Sequence, residues 1–80
     1  MGRLVLIEWL DACSHPVTGW RPLEQAAALE PALSRSVGWI LSETASHLVL
    51  AAHESEGEVD GDICIPRGCI SRIAALVERP

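Results

Sequence analysis

Asp11, Cys13 and His15 occupy alternate positions in the stretch EWLDACSHPVTGW (8–20), between Trp9 and Trp20. In an extended segment, side chains two residues apart project from one side. A carboxylate, a thiol and an imidazole would then stand together. Nucleophilic chemistry of this kind needs a thiolate and a base within hydrogen-bond reach. No oxyanion-hole motif follows, however, and Pro16 directly after His15 belongs to turn chemistry. No residue is therefore assigned as catalytic, and a small hydrolase using His15, Cys13 or Asp11 is kept as an alternative. The other reading is structural. Asp11 would cap the loop through backbone N–H groups while Trp9 and Trp20 clamp it. Asp11 could instead accept from the Trp20 indole or from an arginine.

Metal chemistry has three candidate sets. Zinc needs about four ligands. Cys13, His15, Cys64 and Cys69 would supply them, but the spacing of Cys64 and Cys69 departs from the short zinc-knuckle pattern. The expectation is free, buried or semi-buried thiols and no metal. Glu54, Glu56, Glu58, Asp60 and Asp62 recur every second residue and would form one acidic face if extended. They lack the order of a calcium loop, and a solvated loop that discourages edge pairing is expected. His47 and His53 would lie on one strand face, about 20 Å apart at ~3.3 Å per residue, too far to share a metal within one chain.

Arg21, Arg35, Arg67 and Arg72 offer different chemistry. An aromatic platform beside arginines stacks a base and grips a phosphate with forked N–H donors. The candidate ligand-binding set is Trp9, Asp11, Trp20, Arg21, Arg67 and Arg72, and the expected ligand is a small anionic nucleotide. Trp39 and Val49 are candidate interface residues. The competing reading makes Trp20 and Trp39 core or interface anchors and pairs the arginines with surplus carboxylates. The chain has no Lys, Asn, Phe or Tyr, and all six basic residues are Arg. That bias fits a GC-rich genome and weakens any argument from arginine alone.

These residues need elements to hold them. RLVLIEW (3–9) reads as a strand with Val5, Ile7 and Trp9 on one face. Residues 10–22, with Pro16, Gly19 and Pro22, read as a long loop. PLEQAAALE (22–30) is a short helix with Pro22 at its first position and Pro31 beyond its end. RSVGWILSE (35–43) alternates, and Gly38 marks a bend or bulge. TAS (44–46) turns the chain into a third strand at 47–54, making 36–53 a hairpin. In that strand Leu48, Leu50 and Ala52 share a face. Residues 54–62 form a polar connection, and 62–66 a fourth strand with Ile63 and Ile65 inward. After a one-turn connector at 66–68, residues 69–78 fit either a strand or a helix. A short strand running into a helical turn or frayed tail is preferred. The expected fold is all-β with one short helix. It is a single domain over 1–80, a small and strongly bent antiparallel barrel of about five strands, analogous to SH3- and Sm-like barrels.

The pattern W-x-D, GW, SVGW-x-L, HLVLA and IP-x-x-x-I resembles a family of small, mostly uncharacterised tailed-phage and prophage proteins. The matching residues are Trp9, Asp11, Gly19, Trp20, 36–41, 48–51, Ile65, Pro66 and Ile70. The residues at 25–33, His47 and His53 fall outside the pattern. The resemblance implies no catalytic residues. It admits an anti-defence sponge that sequesters a cyclic or ADP-ribose-like nucleotide signal, or a factor that binds a host or virion protein.

Bulk properties point to association. With 80 residues, 49% of them hydrophobic, a small core leaves apolar surface for another copy of the chain. A homo-oligomer without a cofactor is expected. The net charge of −5 disfavours broad nucleic-acid binding and an Sm-like RNA-binding role. No apolar run approaches the ~20 residues of a membrane span. The segment before Glu8 is too short for a signal peptide, so a cytoplasmic protein without membrane contact is expected.

Overall fold

A computed structural model describes residues 2–79. Strand β1 (Leu4–Asp11) is followed by a long connection that holds helix α1 (Leu23–Ala27). Strands β2 (Ala32–Glu43), β3 (His47–Ala51), β4 (His53–Ser55), β5 (Glu58–Asp60) and β6 (Ile63–Pro66) follow. A 3-10 turn (Arg67–Cys69) leads into β7 (Ile70–Ala75). Five strands make one antiparallel sheet in the order β6-β3-β2-β1-β7, and β4 and β5 make a separate ribbon. The all-β expectation with one short helix holds. The last strand returns beside the first, as the small-barrel analogy requires.

β2 bends the sheet. Residues 32–39 pair with β1, and the end of the strand pairs with β3. Trp39 belongs to both pairings, opposite Leu4 and opposite Ala51. The register then slips between Ile40 and Ser42, so Leu41 is the extra residue of a bulge. Gly38, where the bend was expected, is buried against β3: a Cβ there would stand 2.6 Å from the Ala51 carbonyl oxygen. Glycine permits that backbone approach.

The core lies between the two halves of the bent sheet. Val5 and Ile7 come from β1, Ile40 from the bend, Leu48 and Leu50 from β3, and Ile65 from β6. Trp9, Ile63 and Ile70 pack at its margin. The alternation seen in the sequence explains this set, with one correction. Ala52 is exposed and Ala51 is buried, because β3 ends at Ala51. The β2–β3 turn forms where expected: Thr44 Oγ1 accepts from the N–H groups of Ser46 and His47.

Other boundaries differ. β1 runs two residues past Trp9, and β2 starts three residues early, because the two pair as far as Asp11 opposite Ala32. The helix is only five residues long, and Pro22 is its N-cap with an extended ψ of 145°. None of its residues is buried, so nothing packs against it to sustain further turns. Residues 70–75 are strand, paired with β1, which resolves the strand-or-helix ambiguity. In place of a polar connection at 54–62 the chain forms the β4–β5 ribbon from His53 to Asp60, closed by Glu56 and Gly57, both at positive φ. The five alternating carboxylates consequently do not share one face, because the chain reverses at that turn. His53 also leaves the strand of His47 and opens β4.

Candidate binding surface

Beyond Asp11 and Ala32 the β1–β2 hairpin continues as a twenty-residue connection, an arm over 12–31. Loops of this length inside small domains are uncommon and are usually either functional or linker segments. The Cys13 thiol donates to the Glu30 carbonyl oxygen at 2.7 Å, tying the two sides of the arm together. The Arg21 guanidinium donates to the Val17 carbonyl oxygen across the bend that contains Gly19. The arm and its base leave Leu10, Val17, Trp20, Leu23, Leu29 and Leu33 exposed. Trp20 is fully exposed, and Leu23 is 80% exposed.

The molecule as a whole reflects that arm. It measures 52 × 29 × 24 Å, with a radius of gyration of 16.2 Å. A compact chain of this length has a radius of gyration of about 12 Å. Its accessible surface is 6193 Å², against roughly 4,700 Å² for a compact protein of this mass. The excess is open surface, much of it apolar.

The expected clamp of Trp9 and Trp20 does not form. Trp9 packs against the core and donates its indole N–H to Ser36 Oγ at 3.1 Å. Trp20 stands in the arm without burial. Asp11 is an exposed strand residue opposite Ala32, and no hydrogen bond of its carboxylate is found among the described residues. Cys13 bonds to Glu30 and not to His15, so the thiol–imidazole pairing is not made. Cys13 and Cys64 are exposed and Cys69 is half-buried, which corrects the expectation of covered thiols for the first two. Among the described residues no three His, Cys, Asp or Glu side chains converge on a metal-sized site.

Arg3, Arg35, Arg67 and Arg72 are drawn into ion pairs. Glu8 sits mid-sheet on the outer face, in register with Arg35 of β2 and Arg72 of β7. Arg72 Nε approaches Glu8 Oε1 at 2.6 Å, and Arg35 Nε approaches Oε2 at 3.5 Å. The hydrogen bond from Arg72, chiefly, holds the Glu8 carboxyl below its ordinary pKa; desolvation opposes this, while the Arg72 charge and the contacts with Arg35 reinforce it. At the adjoining bulge, Ser71 Oγ donates to the Glu8 carbonyl oxygen. Arg67 donates to the Thr44 carbonyl oxygen at 3.0 Å and pairs with Glu43, which Arg3 also reaches. Ser46 Oγ and His47 Nδ1 are 2.8 Å apart in the same turn. Arg67 and Arg72 thus serve two different carboxylates, and no hydrogen bond joins either to Trp20 or Arg21 among the described residues. The six candidate ligand residues are spread over the arm and the sheet and do not form one pocket.

Sequence reasoning named two residues of the outer face, Trp39 and Val49, as interface candidates but not the row they join. Because Val5 and Ile7 point into the core, Leu4 and Leu6 point out, beside Trp39 and Val37, with Ala74 completing the Leu6 row. Trp39 and Val49, the candidate interface residues, are half-buried on this face. The signal lay in the apolar residues at both parities of β1, which imply a sheet apolar on both sides. Comparison with protein-family models, curated proteins and solved structures finds no match. No helix is long and apolar enough to cross a membrane among the described residues.

Proposed function

We propose that this protein is a non-catalytic binding module that works as a homo-oligomer and engages its target through the arm. The carrying observation is Trp20, fully exposed on an arm whose apolar side chains have no core of their own. Large exposed aromatic and aliphatic groups are the usual anchors of protein interfaces. The target is a protein, and the resemblance to phage proteins supports a host or virion protein in a bacterial cytoplasm as its class. Engagement of the arginines by Glu8 and Glu43 supports a protein target over a nucleotide. A sponge for a nucleotide-derived signal is the second reading, favoured by the exposed Trp20 with the half-buried Arg21 next to it in the chain.

Affinity capture with the wild-type chain and with Trp20→Ser/Leu23→Ser tests the proposal. The wild type should retain one defined protein in a stoichiometric ratio. The double variant should lose it, with unchanged circular dichroism and oligomeric mass. Capture that ignores the arm would overturn the proposal. Thermal stabilisation by cyclic dinucleotides or ADP-ribose, abolished by Trp20→Ser, would instead establish the second reading.

A further inference from the structure

The sheet has two free edges, β6 and β7. β6 is four residues long and ends in Pro66, which has no N–H to offer. Short strands and prolines are common guards against unwanted strand pairing. β7 is six residues long, with neither Pro nor Lys, and continues into the exposed Leu76 and Val77. Its single charge, Arg72, is already paired with Glu8.

Hydrogen bonding shows which groups face the open side. The Leu76 N–H donates to the Leu4 carbonyl oxygen at 2.9 Å. In an antiparallel ladder the N–H and C=O of one residue point the same way, and the direction alternates along the strand. Leu76, Ala74 and Arg72 therefore bond to β1. Ile73 and Ala75 aim their N–H and C=O groups away from the sheet. The bond from the Ile40 N–H to the Arg3 carbonyl oxygen fixes the same alternation on β1, whose Val5 and Ile7 face β2.

We infer that β7 pairs with β7 of a second copy, antiparallel about a two-fold axis at Ala74, giving a homodimer with a continuous ten-stranded sheet. In that register Ile73 faces Ala75 of the second copy, and Ala75 faces its Ile73. The outward groups of these residues then satisfy one another in four hydrogen bonds. Ala74 meets its twin at the close, non-bonded position, where a small side chain fits. Arg72 falls opposite Leu76, so the two arginines do not face each other. The exposed sides of Ile73 and Leu76 are covered, and the apolar outer faces beside the Leu6 row become continuous. A standard interface takes about 800 Å² from each partner. The pairing engages β7 and the outer face beside it, which leaves the arm over 12–31 free. This inference deepens the homo-oligomer part of the proposed function and is independent of what the arm binds.

Sedimentation equilibrium and cysteine crosslinking of the full chain test it. The wild type should sediment at twice the 8.6 kDa chain mass. Ala75→Pro removes only an outward N–H, so it should weaken the dimer at least tenfold with an unchanged β-sheet spectrum. Ala74→Cys should form a disulfide between its two copies on mild oxidation, identified by peptide mapping, whereas Arg72→Cys should not crosslink to its twin. A wild-type monomer would overturn the inference. So would a dimer that survives Ala75→Pro while Ala74→Cys fails to crosslink. If Ala75→Pro does not fold, the crosslink decides alone. Trp20→Ser should leave the dimer intact, so failure of the edge pairing and failure of the arm proposal are separable.

Discussion

Glu8 is the residue through which acid should act on this molecule. Its carboxylate bridges arginines on both neighbouring strands, and its pKa lies below the ordinary carboxylate value. A depressed folded-state pKa contributes stability that is complete above the unfolded value and is lost as pH falls through the folded one. The melting temperature of the wild type should therefore exceed that of Glu8→Gln at neutral pH. The difference should shrink as the solution is taken below the ordinary glutamate pKa of about 4.3. A difference that stays constant down to about pH 2.5 would contradict this role for Glu8. The pairing was foreseeable only in kind. A surplus of carboxylates makes arginine ion pairs expected, but Arg72 lies 64 positions from Glu8, and only strand register names the partner. Trp20 was harder still. A tryptophan's residue type favours a clamp or a core, and exposure follows only when the arm is seen to have nothing beneath it.

The sheet and the arm are physically separable elements. The core residues all lie in β1, β2, β3 and β6, and α1 buries nothing. Replacing 14–29 with a short glycine-containing turn should therefore leave the melting temperature within a few degrees of wild type, since less than about 1 kcal/mol of core packing is removed. A loss of cooperative unfolding would show that the arm helps build the core. The sheet's strands were legible because Val5, Ile7, Leu48, Leu50, Ile63 and Ile65 alternate cleanly. The close approach at Gly38 was legible because a glycine inside a strand signals it, whereas the bulge itself falls three residues later, at Leu41. The β4–β5 ribbon was not, because its strands are three residues each and so acidic that they read as solvated loop. The helix was overextended because alanine propensity was counted without asking what the helix packs on.

At the scale of the whole molecule, the shape argues for association. An 8.6 kDa chain spread over 52 Å, with seven buried hydrophobic residues among those described, leaves surface that a solitary small domain does not ordinarily expose. The guarded β6 edge, the unguarded β7 edge and the apolar arm divide the labour: one edge is closed, one is free to pair with a second copy, and the arm is free for a target. Composition made a homo-oligomer an expectation, and the route proposed for it rests on the hydrogen-bond alternation along β7. The direct test is the native mass of the purified full chain by sedimentation equilibrium over a wide concentration range. A mass of twice the single chain, reduced by Ala75→Pro and unchanged by Trp20→Ser, is the predicted result; a wild-type monomer throughout the range would contradict the account.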